Sequence, residues 1–242
     1  VSSWDGYRRA SRASLDWATL QVRDQAAIFV PSDTAPQEVR DCLHEELAQA
    51  LGPLNDLYRL PDSVFNDDNI HTVLTGFDML MLRATYAPDL HSGMTAGAVA
   101  ERLPAVLARI NPRGERGPAP PADPTPRAFV QAIESALGPG ATGAGRRAAA
   151  ETAVRIAEDR GWTDVRAGFA WLALGRLTLG HDRAASRMAF ARAAAIYSAR
   201  PGLALQAAHA DMQLAAFALS DGDAQTALDL TARAAPQAAR AE

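Results

Sequence analysis

Between Cys42 and Asp56 the chain concentrates side chains able to do chemistry: Cys42, His44, Glu45, Glu46, Gln49, Asn55 and Asp56. His44-Glu45 begins like a zinc motif in which two histidines one helical turn apart bind the metal and the glutamate between them activates water. Residue 48 is alanine, and none of the five histidines (44, 71, 91, 181 and 209) lies four residues from another, so zinc hydrolysis would have His44 alone to build on. One residue further on, Glu45 and Gln49 share a helix face, and Asn55, beyond the turn at Gly52, can point back at them. Such oxygen donors suit a hard cation such as calcium or manganese better than zinc. They also satisfy one another without an ion, which is the simpler expectation, so no cofactor is expected. Cys42 is the only cysteine, which excludes an internal disulfide and a thiolate metal cage. It reads as a small buried side chain rather than a nucleophile.

These residues need a helix to hold them. The sequence predicts one from about Pro36 to Leu51, with Gln37 and Glu38 in its first turn and Gly52-Pro53 as its stop. Ala26 to Val30 (AAIFV) reads as a strand ended by Pro31-Ser32-Asp33. A second helix is expected from near Thr75, where T-G-F-D resembles a capping box, to about Ala87, and a third over Thr95 to Ile110. Met79, Leu80 and Met81 read as core or partner-facing residues on the second of these. Asp67-Asp68 reads as a solvated turn and His91 as an isolated loop histidine.

The run N-P-R-G-E-R-G-P-A-P-P-A-D-P-T, residues 111–125, blocks both helix and sheet. It divides the chain into a first domain (1–112), a Pro-rich linker (113–125) and a second domain (126–242). The second domain is alanine-rich and broken by turn signals, and it predicts five or six helices, with Trp162 and Trp171 as packing anchors. G-P-G-A-T-G-A-G (138–145) is taken as an inter-helix loop before the helix that opens with Arg146 and Arg147. Phe169, Leu172 and Ala173 precede Gly180, and Ala185 and Ala189 follow it. Leu214, Ala215, Ala218, Ala227 and Thr231 repeat the layout around Gly222. This resembles the tetratricopeptide pattern of stacked helical hairpins, although the two glycines are 42 residues apart where that family repeats every 34.

Glu45, Glu46, Gln49, Gly52 and Asn55 occupy positions 1, 2, 5, 8 and 11 of H-E-x-x-H-x-x-G-x-x-H, the long motif of the metzincin metalloproteases. Ser63-Val64-Phe65-Asn66 stands where that family has its Met-turn, with Phe65 for methionine. Leu74-Thr75 to Tyr86-Ala87-Pro88 resembles the closing L-T-x-x-D-x-x-x-L-x-x-x-Y helix. The whole run is similar to an uncharacterised proteobacterial domain family with an E-E-x-x-Q-x-x-G-x-x-N-D signature. The resemblance implies a mostly α protein in which a reduced, zincin-like α+β module precedes the helical repeat. It makes Glu46 the general base if the site is active, puts Glu45, Gln49 and Asn55 where the zinc-binding histidines would stand, and makes Gly52 and Phe65 turn residues. It also implies a periplasmic or extracytoplasmic location.

Composition narrows the functions. All 24 basic side chains are arginine, so P-loop, Schiff-base and Ser-Lys chemistries are excluded. The net charge of −4 without a concentrated basic face argues against nucleic acid. No apolar run reaches the roughly 20 residues that span a bilayer. Association with a membrane would need a partner or a lost N-terminal anchor, and a first residue other than Met is consistent with a removed leader. The expectation is a non-catalytic pseudo-metalloprotease that binds a protein or peptide partner. The alternatives are a metal-dependent hydrolase using Glu46 and a structural subunit of an envelope complex.

Overall fold

Proline at a first helical position is pre-set for the helix, and an acid three residues beyond the cap can reach back to a free amide. Both devices start α1 (Pro36–Leu51), where the Glu38 carboxylate accepts from the Ala35 N–H at 3.2 Å. A computed structural model of the chain describes residues 21–22, 26–30, 32–53, 57–66, 73–114, 123–138 and 140–241. These fall into two compact units. The first takes the described parts of Val1–Asp56, Asp62–Phe65 and His71–Pro121, and the second those of Leu57–Pro61, Asn66–Ile70 and Ala122–Glu242.

In the first unit α1 is followed by α2 (Gly76–Thr85) and α3 (Ala96–Ile110). The box at the start of α2 forms as expected. Asp78 N donates to Thr75 Oγ1 at 3.3 Å, and Thr75 N returns a bond to the Asp78 carboxylate at 2.8 Å. Thr95 caps α3 by accepting from Ala98 N. Ala84, Ala87 and Val106 form a small core with Leu90, Leu103, Leu107 and Ile110 packed around it. Gly52 lies so near α2 that an added Cβ would stand 3.0 Å from the Thr85 methyl, and Tyr86 Oη donates to the Leu51 carbonyl at 2.6 Å.

The expected strand does not form. Ala26–Val30 carries no regular structure, and among the described residues there is no strand, so the α+β zincin-like module is corrected to a helical unit. A strand exists only by pairing its N–H and C=O groups with a neighbour, and five apolar residues without one gain nothing from the extended form.

The second unit stacks α4 (Arg127–Leu137), α5 (Gly143–Asp159), α6 (Val165–Thr178), α7 (Arg183–Ser198), α8 (Ala204–Ser220) and α9 (Ala224–Ala241), each packed on the next. Helix α5 begins inside the glycine run, earlier than expected, because Thr142 Oγ1 caps it by accepting from Gly145 N at 3.1 Å. The turns around Gly180 and Gly222 both end in a capping aspartate. Asp182 accepts from Ala185 N at 2.9 Å, and Asp223 accepts from Thr226 N at 3.0 Å. Gly222 sits at φ +81°, a left-handed conformation that reverses the chain between α8 and α9.

Two other glycines do a different job. A Cβ on Gly168 would fall 2.2 Å from the Tyr197 ring, and one on Gly175 would fall 2.9 Å from the Phe190 ring. Seven residues apart, they share one face of α6, so two fully buried rings of α7 press directly onto the α6 backbone. Ser186 Oγ, also fully buried, donates to the Gly175 carbonyl at 2.7 Å beside them. The shared core continues through Phe129, Ile133, Phe169 and Phe217. Tyr58 joins it from Leu57–Pro61, stacked on Phe169 at 6.0 Å and edge-on to Phe129 at 6.2 Å. Gln206 Nε2 donates to the Pro61 carbonyl at 2.5 Å and holds that segment in place. Between α8 and α9, Arg233 makes two bonds of 3.0 and 2.9 Å to the buried Asp211 carboxylate.

Helix propensity alone favours alanine over glycine by about 1 kcal/mol, whereas overpacking a core costs about 1–3 kcal/mol. Gly168→Ala should therefore lower the stability of the protein by about 1–3 kcal/mol in urea denaturation despite the better helix former. Gly143→Ala, whose Cβ meets only an Arg147 tip at 3.7 Å, should be neutral or slightly stabilising. Equal effects would show that the ring does not rest on the glycine.

Candidate functional site

Glu45, Glu46 and Gln49 all lie half-buried on α1. Burial pushes the Glu46 carboxyl above the usual glutamate range. The Cys42 thiol is pushed up as well, first by burial and then by the negative charges of Glu46 and Glu45, so both acids lie close enough to act on it. A thiol in that setting keeps its proton, which is the opposite of what a cysteine nucleophile needs. Gln49 offers its main-chain carbonyl to Gly52 N at 3.1 Å, closing the helix at the turn the motif spacing located. Asn55 and Asp56, together with Asp67, Asp68 and His71, lie outside the described residues. Among the described residues no three His, Cys, Asp or Glu side chains stand where they could hold a metal ion.

Phe65 is buried, but the chemistry around it belongs to Ser63 and Asp78, both fully buried. Ser63 Oγ donates to the Asp78 carboxylate at 2.5 Å, Val64 N donates to the same group at 3.2 Å, and Thr75 N supplies a third bond. Phe65 N donates to Ser63 Oγ at 3.0 Å. One carboxylate thus closes the cap of α2 and pins the S-V-F-N turn onto it. The sequence showed both motifs, with their serine and aspartate 15 residues apart, but not that they bind each other. The residue types carried the signal, since an acid at the third position of a capping box can serve a second donor.

A concavity that carries both aromatic and charged groups belongs to the second unit. It is an open groove of about 720 Å³, within the usual range for a binding cleft, walled by Trp162, Trp171, Ile196, Arg192, Arg200 and Glu158, with small alanines between them. On α7 the contributors Arg192, Ala195 and Ile196 follow helical spacing, and Ala199 continues that face just past the helix end. Trp162 is fixed from two sides. Its ring meets Phe129 edge-on at 5.3 Å, and the Arg166 guanidinium lies 3.6 Å over its centroid. Arg166 is in turn held by Asp164, whose Oδ2 accepts at 2.6 Å, by the Asp123 carboxylate, and by the Asp123 carbonyl at 3.1 Å. Its side chain is only 3% exposed, while those of Asp123 and Asp164 remain 51% and 32% exposed. Arg200 closes the far end by donating through Nε to the Thr163 carbonyl at 2.6 Å. Trp162 is thus the packing anchor the sequence suggested and also presents part of itself to the groove. Sequence reading did not connect Arg166 with it, because the aspartates that neutralise the arginine are 2 and 43 residues away.

Residues 5–105 match the model of a protein family of unknown function (DUF2927). That stretch carries the α1 acids and the Ser63–Asp78 pair, and it ends before the helices that wall the groove. No curated protein and no solved structure matches the chain.

A hydrogen bond to a buried charge contributes about 1.5–3 kcal/mol, so Ser63→Ala should cost about that much in denaturant unfolding. Asp78→Ala should cost more, because it strands three donors, two of them buried. A loss under about 0.5 kcal/mol for Ser63→Ala would mean that the pair does not hold the turn. For the groove, the Arg166 guanidinium bonded to Asp123 holds that carboxyl below the usual aspartate range. A carboxylate with a lowered folded pKa stabilises fully above its unfolded value, about 3.9, and loses that contribution as pH falls through the folded value. Melting temperatures of wild type and Asp123→Asn should differ at pH 6 and converge only in acid, as the pH falls below the usual aspartate range.

Proposed function

We propose that this chain is a non-catalytic binding protein that docks a protein or peptide partner in the groove of its helical unit. The observation that carries the proposal is the groove itself. It combines two half-buried tryptophans, a floor of alanines and an isoleucine, and exposed arginines at its edges. Tryptophan and arginine are the residues most enriched where binding energy concentrates in interfaces. Small residues between them leave room for a side chain of the partner. The position of Trp162 under Arg166 means that this surface is organised before anything binds, which lowers the entropic cost of association.

The first unit is proposed as a helical remnant of a metzincin-like scaffold without zinc ligands. Support comes from motif spacing, from Glu45 to Asn55 and from Ser63 to Asn66. An envelope location is proposed on the same family resemblance. A second reading, a metal-dependent hydrolase with Glu46 as base, has one observation in its favour: burial raises the Glu46 carboxyl toward the range a general base requires. Metal analysis of protein purified without chelator, with Glu46→Gln alongside, separates the two. Stoichiometric metal lost in the variant favours the hydrolase.

The binding reading is tested by panning a displayed random-peptide library on the purified chain and measuring the enriched peptides against Ala195→Trp. Ala195 is exposed on the groove floor, so an indole there should fill the groove and leave the fold and melting temperature unchanged. Enriched peptides should bind the variant at least ~10-fold more weakly, equivalent to about 1.4 kcal/mol. Peptides that bind both proteins equally would remove the groove as the docking site.

A further inference from the structure

We infer that the turn between α2 and α3 is a binding site for a soft monovalent cation of the copper(I) type, taken by the His91 imidazole and the Met94 thioether. The site lies in the first unit and does not depend on the groove. Three observations carry it.

The first is the turn itself. Met94 N donates to the His91 carbonyl at 3.4 Å, and Gly93 sits at φ +83°, the left-handed conformation that glycine supplies at the third position of such a turn. The first and fourth residues of a β-turn have Cα atoms within about 7 Å of each other. Met94 comes closer still, because its Sδ accepts from the His91 N–H at 3.3 Å. The sulfur is thereby folded back over the residue that carries the imidazole. Leu90, packed against the small core of α2 and α3, ties the turn down by donating from its N–H to the Ala87 carbonyl at 2.9 Å. His91 is therefore not the isolated loop histidine that the sequence suggests.

The second is the tautomer. His91 Nδ1 lies 3.0 Å from the Ser92 carbonyl. A carbonyl oxygen only accepts, so in the neutral ring the proton is on Nδ1 and the lone pair is on Nε2. Metal-binding histidines are held in this way: one ring nitrogen donates to a carbonyl, which fixes the ring, and the other is left to ligate. His91 is exposed and Met94 half-buried, so an ion from solvent reaches the turn.

The third is the donor set. Asp89 gives its carboxylate to Arg109, and its carbonyl accepts from Arg102 Nη1 at 2.9 Å. On the other side the Thr95 hydroxyl caps α3 by accepting from Ala98 N at 3.2 Å. These flanking oxygens already hold the frame of the turn. An imidazole nitrogen and a thioether sulfur remain, a poor set for calcium or magnesium and an incomplete one for tetrahedral zinc. Thioether sulfur instead selects copper(I), and imidazole also suits copper.

The test is a titration of the full chain with silver(I), a diamagnetic stand-in for copper(I) that needs no reductant, followed by NMR of the methionine methyl and histidine ring signals. The Met94 methyl and the His91 ring should shift together on one saturation curve, in wild type and in Cys42→Ala alike. Met94→Leu should weaken the titration of His91 at least ~10-fold, and His91→Gln should do the same to Met94. Both substitutions should leave the melting temperature without silver unchanged. Calcium and zinc should not move the two signals together. If His91 titrates equally in Met94→Leu, the imidazole binds alone and the paired site is wrong. If Cys42→Ala abolishes both shifts, the ion belongs to the thiol and the assignment is overturned. Signals that stay in place under a large excess of silver overturn it as well.

Discussion

The close approach of α6 and α7 is the constraint from which the rest of the helical unit follows. Tyr197 and Phe190 rest on bare backbone at Gly168 and Gly175, and no other residue type leaves room for them. Two contacts seven residues apart fix the rotation, the separation and the register of the pair together, as knobs in holes do. Once that register is set, Trp171 on α6 lines the groove with Arg192, Ala195 and Ile196 on α7, because each lies on a face defined relative to the buried rings. The groove is thus the outer edge of the same contact whose inner edge is the core. Gly175 also uses its main-chain carbonyl to accept from the buried Ser186 hydroxyl, so the approach that excludes side chains still satisfies a polar group.

In the first unit, among the described residues, specific polar bonds join the burial of Ala84, Ala87 and Val106 between α2 and α3. Asp78 collects Ser63 Oγ, Val64 N and Thr75 N, and a buried carboxylate is tolerable because every donor around it is aimed at it. Its partners come from two places in the chain, so the bonds also fix where the S-V-F-N turn lies. The surface salt bridge of Arg109 to Asp89, whose side chains are both substantially exposed, adds little by comparison.

Much of this was legible beforehand, and where it was not the reasons are physical. The bounds of α1 follow from Pro36, Glu38 and Gly52, and the start of α2 from Thr75 and Asp78, because caps are local and name their own partners. The AAIFV segment misled because its composition is that of a strand while strand formation depends on a neighbour that composition does not reveal. Gly168 and Gly175 carry no local signal, since their meaning lies in rings 29 and 15 positions later. Glu45 and Gln49 lie on α1, but spacing alone does not say whether their side chains converge on an ion or on one another. The groove was the least legible of all. Its arginines, tryptophans and alanines are common residues scattered over some 45 positions, and only the stacking of three helices makes them neighbours.

The exclusive use of arginine bears on what the groove can do. Lysine buried or half-buried beside an aromatic ring can lose its proton, and its charge then depends on its surroundings. Arginine keeps its charge under all ordinary conditions, and its planar group stacks on indole as Arg166 does on Trp162. The charge of the groove's arginines is therefore constant across the pH range in which the fold survives, so a change in binding with pH would report on the ligand rather than on these arginines.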